Sequence, residues 1–405
     1  MNTNLFNSFI LYDLSKDDAV KAYMNSDAVT LANILIEKAE KNGYSGNVFK
    51  SHIADIFISH RNIFSLNCEN KADVLGTTLY DAALNDIRTL LEVLKTDLTE
   101  AFPEYPVFRL LENYRPVKKN QNQNIEYILN TSSPEDIINH LIKTYNTYGC
   151  GKISLYRSFK FDREKGLVGI EEPDKITFDE LIGYDIQKNK LIENTEAFIN
   201  GYAANNVLLV GARGTGKSSC VKALVNKYYS QGLRLIEITK DQIEDVALLY
   251  SNLKTRGSKF IIFLDDLSFD EHEIQYKYMK SLLEGGSENK PDNVLFYATS
   301  NRRHIIKEVW GDRQERGEDA EIHTQDTLNE KLSLSDRFGI TITFPKPTPQ
   351  QYIDIVKALA RKNDIQVSDE ILEKEAKKWE MHQKGLSGRT AKQFINNFSY
   401  GIKNE

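Results

Sequence analysis

Gly211-Ala212-Arg213-Gly214-Thr215-Gly216-Lys217-Ser218 reads G-A-R-G-T-G-K-S, and the residues just before it, Asn206 to Val210, read N-V-L-L-V. An apolar run, a glycine-rich turn and the segment Ser218 to Lys227 (S-S-C-V-K-A-L-V-N-K) predict a strand, a tight loop and a helix in that order. A loop that turns successive backbone N–H groups inward needs residues that tolerate φ > 0, and Gly211, Gly214 and Gly216 supply them. The first turn of the helix adds unpaired N–H groups and the positive end of its dipole. This is a complete Walker A pattern, and it fits the phosphates of a nucleoside triphosphate. Residues Gly211 to Ser219 form the cradle, Lys217 brings a point charge to the β- and γ-phosphates, and the Ser218 hydroxyl is placed to ligate Mg²⁺.

Downstream, Phe260-Ile261-Ile262-Phe263-Leu264-Asp265-Asp266 is an apolar strand that ends in two acids, a Walker B pattern. Asp265 is expected to hold Mg²⁺, directly or through water, and Asp266 to polarise the attacking water. Val294 to Asn301 (V-L-F-Y-A-T-S-N) is a further strand with a polar end, where Asn301 is set to orient water or contact the γ-phosphate. Ser335-Asp336-Arg337-Phe338-Gly339 places an arginine just before the last strand candidate, and Gly388-Arg389 opens the final helix.

Composition agrees with a chain of globular domains. Of 405 residues, 40% are hydrophobic and 27% charged, enough for two or three cores. The start, M-N-T-N-L-F-N-S-F-I-L-Y-D, carries no basic n-region and no apolar run long enough to span a bilayer, so a cytoplasmic location without membrane association is expected. Cys68, Cys150 and Cys220 are odd in number and far apart, which argues against a disulfide framework or a metal pair. Nucleotide-held Mg²⁺ is the metal the sequence proposes. A net charge of −6 disfavours a broad nucleic-acid surface; Arg302-Arg303-His304 and Lys118-Lys119 are the candidates for a local basic site, but short charged clusters are usually solvated surface, so nucleic acid is the less favoured partner.

Three regions follow: residues 1–165, mainly helical; 166–345, alternating strands and helices; and 346–405, helical again. In the first, Ala28 to Lys41 and Asp73 to Ala101 carry helical periodicity, Ser133-Pro134 opens another helix, and Ile153 to Phe161 alternates like a strand or hairpin. In the second, Val207–Val210, Arg234–Ile238, Phe260–Leu264, Val294–Ala298 and Thr341–Phe344 are the strand candidates of a parallel sheet. In the third, Thr348-Pro349-Gln350-Gln351 is a capping box and Ser387 caps the last helix.

The order of these motifs resembles the AAA+ ATPases over roughly Ile176 to Phe398. The resemblance implies a P-loop α/β core with a parallel sheet, a C-terminal helical lid and a mainly helical N-terminal interaction domain. It makes Asn301 a sensor 1 residue, Arg337 an arginine finger and Arg389 a sensor 2 arginine in the lid. It likens Phe178-Asp179-Glu180-Leu181-Ile182-Gly183-Tyr184 to the family's box before the P-loop, with Ile182 and Gly183 at the adenine. Whole phrases, D-D-L-S-F, Y-A-T-S-N-R-R-H, L-S-D-R-F-G and S-G-R-T-A-K-Q-F, further resemble a bacterial AAA+ group catalogued only as a domain of unknown function, from about Gly149 onward. ATP binding and a homo-oligomer are implied. One departure is that AAA+ members typically carry Glu where this chain has Asp266.

The resulting expectation is an ATPase that remodels or loads a macromolecular partner held by its N-terminal region. The alternative is a nucleotide-dependent switch or scaffold with very slow turnover, which Asp266 keeps open. A P-loop small-molecule kinase uses the same cradle but accounts for none of Asn301, Arg337 and Arg389.

Overall fold

The computed structural model describes residues 3–70, 75–119, 122–269, 274–284, 290–301, 336–381 and 385–403. The chain forms two compact units, one of Met1–Leu155 with Arg256–Ser258 and one of Tyr156–Thr255 with Lys259–Glu405.

The first unit is helical: α1 (Asp18–Met24), α2 (Ala28–Asn42), α3 (Val48–Ser59), α4 (Ile63–Glu69), α5 (Thr77–Val93), α6 (Leu98–Ala101), α7 (Val107–Glu112), α8 (Gln123–Asn130), α9 (Pro134–Tyr148) and α10 (Lys152–Leu155). Local chemistry sets the bounds. Asp27 accepts from Thr30 N at the start of α2, and Gly43 closes it at φ 72°. Ser133 accepts from Asp136 N at 3.2 Å, with Pro134 in the first turn of α9. The periodic run to Ala101 breaks into α5 and α6 because the Asp97 carboxylate accepts from Thr99 N at 2.7 Å and starts a new helix; the Asp73 end of that run lies outside the described residues. The expected strand from Ile153 starts later, since Ile153 is buried in α10.

Glu69, the last residue of α4, is 1% exposed and accepts from Arg256 Nε at 2.8 Å, Arg256 Nη2 at 2.7 Å, Gly257 N at 3.1 Å and Cys150 N at 3.0 Å. Burial pushes its carboxyl up, but the bonds and charge of Arg256 outweigh this and hold it below its usual range.

The second unit is built on a seven-stranded sheet in the order β2-β1-β4-β5-β6-β3-β7. Its strands are β1 (Ser158–Asp162), β2 (Gly166–Gly169), β3 (Val207–Gly211), β4 (Leu233–Ile238), β5 (Lys259–Leu264), β6 (Val294–Ser300) and β7 (Ile340–Phe344). Every neighbouring pair is parallel except the β1–β2 hairpin. That hairpin joins the sheet edge through β4, so the helical unit ends at Leu155, earlier than the expected boundary between 165 and 166. Helices α11 (Asp185–Ile199), α12 (Lys217–Tyr228), α13 (Val246–Leu253) and α14 (Ile274–Glu284) lie between strands. β3, β5 and β6 are buried almost throughout, as their uninterrupted apolar runs require. Cys220, Val221, Leu224 and Val225 of α12 join Val207, Leu209, Ile261 and Leu295 in one core cluster.

The lid follows as α15 (Pro349–Lys362), α16 (Asp369–Met381) and α17 (Gly388–Lys403). Thr348 and Gln351 form the expected capping box, and Ser387 Oγ accepts from Thr390 N at 3.0 Å. Tyr352, Val356, Leu372, Ala376, Phe394 and Ile395 make its own small core. The fold class implied by the AAA+ resemblance, a P-loop α/β core with a helical lid and a mainly helical N-terminal region, is the one observed.

Removing one member of a buried ion pair strands the other charge, at a cost of about 3–5 kcal/mol. Arg256→Ala is therefore expected to destabilise the helical unit by that order in urea unfolding at neutral pH. Because the folded state depresses the Glu69 pKa, the pair stabilises above the unfolded value of about 4.3 and fades as pH falls through the folded one. The deficit of Arg256→Ala should shrink accordingly in acid.

Candidate functional site

The parallel register sets the site's position. Val210 pairs with Ser300 on one side, and Gly211 pairs with Phe344 on the other. The carboxyl ends of β3, β5 and β6 therefore lie side by side, where α/β sheets hold ligands. Gly211 has φ 145°, and a Cβ there would sit 2.0 Å from Phe344 O, so the turn out of β3 admits only glycine. Gly214 and Gly216 follow at φ 78° and 89°, and Lys217 begins α12.

Lys217 is 5% exposed. Its Nζ donates to Gly211 O at 2.9 Å, Ala212 O at 2.8 Å and Asn301 Oδ1 at 3.0 Å, which uses all three donors of the ammonium. Burial lowers its pKa, against Asp265 and Asp266, whose charges raise it. Thr215 Oγ1 donates to Ala212 O at 2.9 Å and stiffens the loop.

Asp265 and Asp266 leave the end of β5 in different directions. Three donors converge on Asp265 Oδ1: Ser218 Oγ at 2.6 Å, Thr299 Oγ1 at 2.5 Å and Asp266 N at 3.1 Å. The two residues expected to hold Mg²⁺ are thus in direct contact, and a hydroxyl beside a carboxylate suits a hard cation. Asp266 has φ 55°, and its carboxylate accepts from Asn301 Nδ2 at 2.5 Å and lies 3.3 Å from Arg213 Nη2.

Residues 151–401 match a family described as "Protein of unknown function (DUF815)". The chain belongs to this family. The DUF815 region holds all of the P-loop, Asp265, Asp266, Asn301, Arg337 and Arg389. No curated protein matches the chain significantly. Among solved structures, it is similar to Thermotoga maritima RuvB, described as a Holliday junction branch migration motor, at 14% identity and TM-score 0.33 over 54% of this chain and 71% of that one. Two variants of that protein give 17% and 0.35 over the same shares, and 15% and 0.34 over 55% and 72%.

Within the DUF815 region, the lid and the box meet the P-loop. Arg389, at the start of α17, donates its backbone N–H to Gly214 O at 3.3 Å, and its Cβ lies 3.1 Å from where a Cβ on Gly214 would stand. Its side chain is exposed. Leu181 lies beside Gly216, and Ile182 packs on the lid core. Glu180 pairs with Lys362 of α15. Gly183 takes φ 77°, and Tyr184 OH donates to Pro345 O at 2.7 Å.

Arg337 stands elsewhere. Ile340 pairs with Val207 and Phe344 with Gly211, so β7 runs roughly 13 Å between these pairs, and Arg337 precedes its start. It occupies the amino edge of the sheet and is not brought to the P-loop of its own chain. Arg302, Arg303 and His304 lie outside the described residues; Lys118 and Lys119 are exposed beyond α7.

Sequence reading missed two contributors. Thr299, 2% exposed, touches both acids, and Ser387 backs Gly214. Thr299 was visible only as a polar residue ending an apolar strand, because its contact with Asp265 depends on the β5–β6 register.

Gly211→Ala is expected to cost more than ~1 kcal/mol, since the added methyl meets backbone and the φ is strained. A lowered melting temperature with β3–β7 amides newly open to hydrogen exchange would show this; an unchanged melt would contradict the close approach.

Proposed function

We propose that this protein binds ATP with Mg²⁺ and hydrolyses it, working as a homo-oligomer that remodels or loads a macromolecular partner engaged by the helical N-terminal unit. The observation that carries the reading is the convergence of Lys217, Ser218, Asp265 and Asn301 at one strand edge around a Walker A turn. The cradle Gly211–Ser219 supplies N–H donors, and Lys217 supplies positive charge to the β- and γ-phosphates. Ser218 and Asp265 are the residues that would hold Mg²⁺, which when bound neutralises charge on the phosphate oxygens. Asp266 takes the proton of the attacking water, and Asn301, already bonded to its carboxylate, orients that water. Arg389 acts from the lid within its own subunit, and Ile182 and Gly183 border the base.

A slow-turnover switch is favoured by one specific observation. The Asp266 carboxylate is engaged by Asn301 and by Arg213, so the candidate base is shared between two partners. Steady-state phosphate release from the full chain separates the readings: multiple turnovers support the ATPase, and a single bound equivalent without release supports the switch.

Lys217→Ala is expected to abolish ATP binding in a titration while the circular dichroism spectrum stays that of the native chain. Undiminished affinity would remove the P-loop from the assignment.

The amino-edge position of Arg337 supports a role across a subunit boundary, where an arginine supplied in trans contributes ~10³ to 10⁵ in rate. Mixing Lys217→Ala subunits, which keep the arginine, with Arg337→Ala subunits, which keep the P-loop, should give faster hydrolysis than either parent. Mixed oligomers with no recovery would refute action in trans.

A further inference from the structure

We propose that Thr299 is a positioning residue for the Walker B turn, holding Asp265 for the metal and fixing Asp266 in a left-handed backbone conformation that selects aspartate over glutamate. The inference rests on the ATPase reading for its chemistry, but its geometry stands by itself. Thr299 is buried at the end of β6, one residue past the Leu264–Ala298 pair. A hydroxyl has one proton to donate, and here it goes to Asp265 Oδ1 at 2.5 Å. Thr299 Oγ1 in turn accepts from Asp266 N at 2.9 Å, and the Thr299 carbonyl accepts from Leu267 N at 2.6 Å. One side chain and its own carbonyl thus grip three successive residues.

The grip explains the backbone. Asp266 is one of four non-glycine residues with positive φ among the described residues. Such a conformation crowds Cβ against the following carbonyl, and Asp is among the few side chains found there repeatedly. Asp266 N–H and Leu267 N–H both bond to Thr299, so the turn is held in this form by its neighbour strand. The left-handed turn carries the short Asp266 side chain to Asn301 and Arg213. A longer side chain at the same φ is less tolerated and reaches past these partners. With Ser218, Thr299 and Asp266 N all on Oδ1, the other oxygen of Asp265 accepts no hydrogen bond among the described residues and is left for a cation.

The test uses the full chain with Thr299→Val, which keeps the shape and deletes the hydroxyl, and Thr299→Ser, which keeps the hydroxyl. Partners that orient a metal ligand typically matter ~10- to 100-fold. Thr299→Val is therefore expected to raise the Mg²⁺ concentration needed for half-maximal tightening of ATP binding by at least ~10-fold and to lower kcat similarly, with metal-free ATP affinity little changed. Thr299→Ser should recover most of both losses. Asp266→Glu should lower kcat in the wild-type background and add little in Thr299→Val. Without any nucleotide, Asp266→Glu should lower the melting temperature, whereas Asp266→Gly should not, because glycine is at ease at positive φ.

Unaltered Mg²⁺ dependence in Thr299→Val, or a Thr299→Ser variant as impaired as Thr299→Val, would overturn the clamp. A glutamate as stable and active as aspartate at 266 would overturn the selection. If the wild type proves to bind or turn over no ATP, the ATPase reading falls, and the two melting temperatures still decide the turn.

Discussion

The lateral position of β3, hydrogen-bonded to β6 on one side and β7 on the other, is the constraint on which the site depends. Because these pairs are parallel and in register, the end of β3 meets the end of β6, and Lys217 reaches Asn301 across that seam. β5 lies on the far side of β6, so Asp265 is brought to Ser218 from one strand further away. The close approach of Gly211 to the Phe344 carbonyl follows from the same pairing. A slip by one residue would turn the strand faces over and separate every one of these groups.

Around that frame, the polar groups satisfy one another. A buried ammonium is costly unless hydrogen-bonded, and the three acceptors on Lys217 are matched to its three donors. Two of those acceptors are loop carbonyls, so the buried charge also holds the loop closed on itself. Asp265 is treated likewise, with three donors on one oxygen. The pair between Arg213 and Asp266 is different in kind: both side chains are largely exposed, and such pairs contribute only ~0–1 kcal/mol. It is therefore easily exchanged, unlike the buried pair of Glu69 with Arg256.

The lid is joined to the loop by short contacts that share one locality. Ser387 and Arg389 lie against Gly214, Leu181 against Gly216, and Ile182 completes the lid core. A change in the loop is felt directly at the start of α17, since Arg389 N–H and Gly214 O are bonded. This gives the lid arginine a link to the glycine-rich loop that does not depend on its side chain.

Much of this was legible in the sequence because it is local. The glycines at 211, 214 and 216, the capping box at Thr348, the cap at Ser387 and the apolar runs of β3, β5 and β6 each follow from residue chemistry within a few positions, and so do the Walker A loop and the acids after β5. The boundary of the helical unit was less legible, because the β1–β2 hairpin is assigned by its pairing with β4, far along the chain. The roles of Thr299 and the opposite edges taken by Arg337 and Arg389 were hidden for the same reason. Sequence by itself determined which segments become strands, turns and helices, since φ preferences and side-chain periodicity act between near neighbours. Only the tertiary structure decided which strand ends meet, because register is fixed by hydrogen bonds between segments many residues apart, and those bonds place one threonine between two acids.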